Sequence, residues 1–124
     1  MTRIFIFVAL FASILGTTLN AAETKPMLTE KEAKALVASA KTPADHMKLA
    51  GHYRQMSDKF LAESKNHEQM KAGYESNPTY TSSKFKAGTI DHCEYFVKTF
   101  RENAKKMLEL AVLHEDMAKL TDKK

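Results

Sequence analysis

Two histidine–methionine pairs are the residues of this sequence that are best suited to chemistry. His67 precedes Met70 by three positions, and His114 precedes Met117 by the same spacing. Side chains three residues apart lie on one face of a helix, so each pair offers an imidazole and a thioether to one shared ligand. Soft thioether and imidazole donors suit copper, and histidine with methionine is also an axial ligand pair of haem.

Three further residues extend these two sets of donors. In an antiparallel helical hairpin, residues whose numbers add up to about 164 would lie opposite each other here. This register places the dipeptide His92-Cys93 near His67 at the loop end of the hairpin, and His46 near His114 at the open end. The whole candidate set for copper or haem is His67, Met70, His114, Met117, Cys93, His92 and His46.

The same residues also have a purely structural interpretation, which the sequence favours over a cofactor. A histidine on the seam, which is the line of contact between two helices, is more often a core residue. Such a histidine hydrogen-bonds across the bundle, here to Glu63, Asn103 or the Tyr53 hydroxyl. Cys93 is a buried small hydrophobe, a dimer disulfide or a soft ligand. His52 lies off the seam and receives no role. Because the sequence contains no catalytic motif, and H-E-x-M lacks the second histidine of the zinc-protease signature, we expect a non-enzymatic protein.

Helices position these residues, and the fold class is predicted to be all-α. T-x-x-E from Thr29 to Glu32 is a capping box, and Thr42 followed by Pro43 is a typical helix start. A short amphipathic helix is followed by two long ones that match in length, so we expect an antiparallel hairpin. The helices are predicted over residues 30–41, 43–74 and 89–121.

In both long helices, residues spaced seven positions apart form rows that predict coiled-coil-like packing. One row of the first helix contains His46, Tyr53, Phe60, His67 and Tyr74, and small residues lie beside it at Ala50, Ser57 and Ser64. In the second helix the corresponding row contains Cys93, Phe100, Met107, His114 and Thr121, and the residues beside it are Val97, Ala104, Ala111 and Ala118. We expect the core to comprise Tyr53, Phe60, Phe96, Phe100, Met107 and Leu110. A two-helix seam is thin, so a homodimer that completes a four-helix bundle is predicted.

The two long helices also align with each other. A shift of 47 residues lays Tyr53-Arg54 on Phe100-Arg101 and keeps the heptad positions in phase throughout. Duplication of one ancestral helix is the economical explanation, although two helices that share a heptad pattern often align by chance.

Polar and aromatic residues outside the rows give two smaller predictions. On the second long helix, Glu94 with Lys98 and Glu115 with Lys119 have the spacing of ion pairs within a helix. The connection from residue 75 to residue 89 is longer than a hairpin needs, and we expect Tyr80 and Phe85 to pin it. Lys84 and Lys86 beside Phe85 could instead meet a partner.

The first 22 residues predict a cleaved secretory signal peptide. A basic start at Arg3 precedes an apolar stretch over residues 4–15, and small residues lead to Ala21-Ala22. About 12 apolar residues are too few to span a membrane, and no cysteine follows them for lipidation. We therefore expect a periplasmic or secreted protein without membrane insertion, with a flexible tail over residues 23–28 and one helical domain over 29–124.

Composition excludes several other classes of protein. The chain has 124 residues, 44% of them hydrophobic and 27% charged, which is typical of one globular domain. A single cysteine excludes a disulfide-stapled scaffold. The formal net charge is +4, from 19 basic and 15 acidic residues, and loss of Arg3 would leave 18 against 15. A charge this small argues against a nucleic-acid partner, whereas a protein partner in the cell envelope fits an exported helical module.

Two resemblances agree with this picture. Thr42-Pro43-Ala44-Asp45-His46, followed later by His92-Cys93, resembles a group of small exported bacterial helical-hairpin proteins to which no activity is assigned. Leu28-Thr29 is similar to the L-T motif of periplasmic chaperones of the Spy and CpxP kind, although Glu32 stands where their motif has glutamine. These resemblances imply export, a helical hairpin, dimerisation and chaperone-like holding of unfolded chains.

Overall fold

The computed structural model describes residues 27–123. Within this range the chain is helical apart from short turns, and no strand occurs, so the all-α prediction is confirmed. The predicted signal peptide and most of the predicted tail lie outside the described residues. The elements are α1 (Glu30–Ser39), α2 (Pro43–Glu75), α3 (Pro78–Thr81), α4 (Ser83–Lys86), a π-helical segment (Ala87–Asp91) and α5 (His92–Thr121).

Capping boxes fix the starts of α1 and α2. The Thr29 hydroxyl accepts a hydrogen bond from the Glu32 N–H, and the Glu32 carboxylate accepts one from the Thr29 N–H at 2.8 Å. Thr42 and Asp45 form the same reciprocal pair in front of α2. Backbone N–H groups that donate to Asp45 lower the pKa of its carboxyl, so an ionised side chain holds the helix start.

Helices α2 and α5 form an antiparallel hairpin in the register that the sequence predicts. The rings of Phe60 and Phe100 stack with their centroids 6.1 Å apart, and the Ser64 hydroxyl donates to the Val97 carbonyl at 3.3 Å. The end where α2 begins and α5 finishes is the open end. The other is the loop end.

Small side chains form the line of closest approach between the two long helices. Ala50 and Ala111 are 1% and 0% exposed, and the other small residues of their two rows are also buried, while Val97 of the second row is half-buried. Side chains this small let helix backbones approach closely. The buried small residues are Ala50, Ser57 and Ser64 on α2, and Ala104, Ala111 and Ala118 on α5.

The aromatic rows lie to one side of this line, on a surface that we call the aromatic face. The residues expected to form the core are only half-buried: Tyr53, Phe60, Phe96, Phe100, Met107 and Leu110. The expectation therefore named the wrong row as the centre of the contact. The reason is geometric, because two helices that meet along small residues leave the neighbouring large side chains without a third layer above them.

The opposite side of the hairpin, which we call the polar face, carries ion pairs between the helices. These pairs are Arg54–Glu115, Arg101–Glu68 and Lys71–Glu94. The prediction that Glu94 and Glu115 pair with lysines of α5 is wrong, since both glutamates reach α2 instead. Arg54 Nε donates to Glu115 at 2.8 Å.

The connection between the long helices is largely helical. Tyr80 packs edge-on against Tyr74 with ring centroids 5.0 Å apart, in agreement with its predicted pinning role. Phe85 is 41% exposed and lies under the ammonium of Lys84, so it does not pin the connection. The π-helical segment buries Ile90 and runs directly into α5.

Helix α1 packs on α2 near the open end and buries Ala33. Its position over α2 covers His52, which is 7% exposed. None of the helices within residues 27–123 has the length and apolar composition of a membrane-spanning segment.

Candidate functional site

Two buried imidazoles face each other at the open end of the hairpin. His46, in the first turn of α2, and His114, near the end of α5, place their Nδ1 atoms 3.2 Å apart. Their ring centroids are 5.4 Å apart with an interplanar angle of 26°. The centroid separation exceeds the nitrogen separation by about one ring diameter, so the two Nδ1 atoms point at each other along nearly one line. Tyr53 stacks on the other side of His114 at 5.6 Å.

This arrangement requires at least one of the two rings to be neutral. One Nδ1–H donates to the other Nδ1, which is possible only while at least one of the rings lacks a proton on that atom. Burial, and secondarily the neighbouring His46, lower the pKa of His114. The sequence interpretation expected a glutamate, asparagine or tyrosine as partner of a seam histidine, and for His114 the structure supplies His46 instead.

The loop end holds a second histidine pair in a different arrangement. The His67 ring stacks on Phe96 at 5.0 Å and contacts Phe100 at 5.6 Å, while His92 lies 5.9 Å away at an interplanar angle of 57°. His67 Nδ1 is buried without a hydrogen-bond partner, and His92 is exposed. The predicted neighbours do meet, but their nitrogens do not face each other as those at the open end do.

Cys93 is fully buried beside this cluster. Its side chain is 0% exposed and forms no disulfide. Burial raises the pKa of its thiol, so the thiolate that a metal or a disulfide exchange would need is disfavoured. Of the interpretations left open by the sequence, these observations favour the buried small hydrophobe.

The two methionines of the candidate set lie on the surface. Met70 is 43% exposed and Met117 is 37% exposed, which differs from their predicted place on the buried faces of the helices. On each helix the methionine lies on the far side of the aromatic row from the small residues, on which the contact is centred.

Two contacts of the hairpin repeat about a pseudo-two-fold axis that relates residues 47 positions apart. Tyr53 stacks on His114 at one end, and the equivalent residues Phe100 and His67 meet at the other, each pair with centroids 5.6 Å apart. On the polar face, Arg54 pairs with Glu115 as Arg101 pairs with Glu68. These two contacts of one half are therefore reproduced in the other half.

His52 is a buried histidine that sequence reasoning passed over. It faces α1 instead of α5, and its Nδ1 is buried with no hydrogen-bond partner. Burial lowers its pKa. It lines a groove of about 630 Å³ between α1 and α2, together with Val37, Met56 and Phe60. The signal that could have identified it is the apolar face of α1, which requires a surface on α2 outside the hairpin seam.

An apolar stripe runs along the second half of α5, on the flank of the aromatic face. Leu113, Met117 and Leu120 recur at helical spacing and are 48%, 37% and 66% exposed. Leu110 continues the stripe inward and is half-buried. Contiguous exposed apolar side chains of this kind are typical of a surface that a partner covers.

No family model, curated protein or solved structure matches this chain. Within residues 27–123, no group of three or more His, Cys, Asp or Glu side chains is arranged to hold a metal ion.

Proposed function

We propose that this protein is an exported, non-enzymatic interaction module of the cell envelope, in which two hairpins pair through their aromatic faces as a four-helix bundle. The observation that carries the proposal is the apolar stripe of Leu110, Leu113, Met117 and Leu120 on α5. In a single chain these side chains contact water, and covering them releases that water at a gain in free energy.

A second copy of the chain is the occupant that best suits this surface. The hairpin on its own fully buries only two of its larger side chains, Leu49 and Cys93, so its interior is thin for a stable domain. The stripe lies on α5 only, since its equivalents on α2 include Glu63 and Asn66, so two copies would place their α5 stripes against each other. A surface of this kind can meet its own copy in a closed two-fold dimer.

The test is the mass of the protein in solution, measured by light scattering during gel filtration. We expect the wild-type chain to be a dimer and Leu113→Lys to be a monomer, because the lysine charge would be buried at the interface. Val112→Lys is the matched control. Val112 is 45% exposed on the same helix but lies outside the stripe, so this variant should remain a dimer.

Two outcomes would overturn the dimer. One is a wild-type monomer at concentrations of about 100 µM, and the other is a Leu113→Lys dimer with the wild-type mass. A monomer that suppresses aggregation of a denatured client, and loses that activity in Leu113→Lys, would assign the stripe to chaperone-like holding of unfolded chains instead.

Export is the part of the proposal that rests on residues 1–22. Expression of the full chain in a bacterial host, followed by mass spectrometry of the periplasmic fraction, should give a protein that begins at Ala22 or Glu23. A full-length cytoplasmic product would contradict the predicted signal peptide.

A further inference from the structure

We propose that the facing imidazoles of His46 and His114 bind one monovalent copper ion between their Nδ1 atoms. The two nitrogens are 3.2 Å apart and point at each other along nearly one line. This is the arrangement in which two ligands hold a two-coordinate ion. The inference does not depend on the proposed dimer.

The separation of the nitrogens suits a single ion better than a haem. Metal–imidazole bonds of about 2 Å would place two opposed nitrogens about 4 Å apart. The open end must therefore widen by less than about 1 Å, which a small turn of either side chain can supply. A haem would instead need room for its whole macrocycle between the rings, and the neighbouring contact of the two helices is closed by Ala50 and Ala111, which are 1% and 0% exposed.

The donors around the pair favour monovalent copper over zinc or another divalent ion. Within the described residues no third His, Cys, Asp or Glu completes a site for such an ion. Divalent zinc takes four ligands, whereas imidazole and thioether donors are the soft set that suits Cu(I). Met117 lies one helical turn after His114 and can supply a thioether as a third ligand. Its 37% exposure leaves its sulfur open to the surface from which an ion would enter.

Binding of Cu(I) by the two rings in their neutral forms requires no oxidation or reduction. It causes no net gain or loss of protons, because only the tautomer of one ring changes. Before binding, one ring carries its proton on Nδ1 and the other carries its proton on Nε2. When Cu(I) enters, the Nδ1 proton leaves to solvent and Nε2 of the same ring takes up a proton. Two neutral imidazoles then donate their Nδ1 lone pairs to the ion, and the complex carries its single positive charge.

The loop end does not offer an equivalent site. The nitrogens of His67 and His92 do not face each other, and the His67 ring is stacked on Phe96. The Cys93 thiol is enclosed and protonated because burial raises its pKa. The two ends therefore provide a test site and a control site in the same molecule.

The experiment is an anaerobic titration of the purified protein with Cu(I) in competition with the chromogenic chelator bicinchoninate. We expect one Cu(I) ion per chain. His114→Gln and His46→Gln keep a polar side chain of similar size but remove the opposed nitrogen, and each should weaken binding by at least about 100-fold. His67→Gln and Cys93→Ser are the matched controls at the loop end and should retain the wild-type affinity and stoichiometry.

A spectroscopic measurement keeps the test independent of variants that fold poorly. Ag(I) is a diamagnetic stand-in for Cu(I), and long-range ¹H–¹⁵N spectra distinguish Nδ1 from Nε2 of each histidine. One equivalent of Ag(I) should shift the Nδ1 resonances of His46 and His114 together. Absence of competition with bicinchoninate, loss of binding in Cys93→Ser, or an Ag(I)-induced shift confined to His67 and His92 would each overturn the proposal.

Discussion

The open end and the loop end of the hairpin carry side chains that the 47-residue shift makes equivalent, yet these side chains meet different neighbours. His114 faces a second imidazole across the open end. Its counterpart His67 lies on Phe96 and Phe100 at the loop end, with one nitrogen buried and unpartnered. The equivalent of His46 is Cys93. Differences between equivalent positions, among them Leu49 and Phe96, thus separate a polar pair from an apolar cluster.

The difference shows how a repeated helix can acquire two chemistries without a change of fold. Heptad position determines that these side chains lie on the aromatic face, and it does so equally at both ends. The opposite helix determines what each side chain meets. A ligand site therefore depends on the pairing of two positions and not on the His-x-x-Met spacing within one helix.

The largest difference between the ends is expected in packing. Leu49 near the open end and Cys93 at the loop end are both 0% exposed. Leu49→Ala should lower the free energy of unfolding by about 2–5 kcal/mol, because it leaves a large cavity, and Cys93→Ala by only about 1 kcal/mol. Urea unfolding followed by circular dichroism measures both. Equal losses would show that the loop end is packed as sensitively as the open end.

The two ends can be compared directly through the reactivity of a thiol at each of two equivalent positions. Cys93 should react with iodoacetamide about 100-fold more slowly in the folded protein than in urea, because it is enclosed and must wait for local opening. In a Cys93→Ala background, His46→Cys places a thiol at the equivalent position of the open end. We expect this thiol to react faster than Cys93, since His46 retains 9% exposure. Equally fast labelling of both thiols would contradict the closed packing of the loop end.

Acidification should weaken the open end. The pKa of His114 is lowered in the folded protein, so the unfolded chain binds more protons below the ordinary value of 6.5. Stability is therefore greatest above about pH 7 and falls as the pH drops through 6.5 toward the folded pKa. The charged neighbours are Asp45, beside His46, and the ion pair of Arg54 with Glu115.

Unfolding experiments at several pH values measure this effect. His114→Gln should reduce the slope of stability against pH. The slope that remains belongs partly to His52, whose pKa burial also lowers, and His52→Gln should reduce it further. An unchanged slope in His114→Gln would show that the histidine pair does not couple stability to pH.

The smallest effect is expected on the polar face, where the two ends are alike. Arg54 and Arg101 occupy equivalent positions and pair with glutamates that are themselves equivalent. Arg54→Ala and Arg101→Ala should each cost about 0.2–1 kcal/mol, because these pairs are partly exposed. Double-mutant cycles with Glu115→Ala and Glu68→Ala measure both couplings. Clearly unequal couplings would limit the pseudo-symmetry to the aromatic face.

Much of the fold follows from local signals in the sequence. The two threonine caps predict where α1 and α2 begin, and the shared heptad phase predicts the register that brings His46 to His114. Helix α1 ends at Ser39, two residues before the predicted limit, and the connection forms helical turns where a loop was expected.

The pattern of hydrophobic residues does not predict which row lies at the centre of the contact between α2 and α5. Large apolar residues suggested that the aromatic rows form the core, but Ala50 and Ala111 allow a closer approach of the backbones. This shift of the contact also places Met70 and Met117 on the surface and brings Glu94 and Glu115 within reach of α2. The burial of His52 depends on where α1 packs, which is a tertiary property that no spacing along α2 encodes.

Helix α1 has a consequence for how two hairpins can recognise each other. Along the equivalent Arg–Glu pairs of the polar face, the hairpin presents a similar surface when it is reversed, so a partner that binds there could do so in two directions. Helix α1 packs on α2 and has no counterpart on α5 within the described residues. A ten-residue helix thereby distinguishes the two directions on this face, in addition to the polarity that the apolar stripe on α5 gives the molecule.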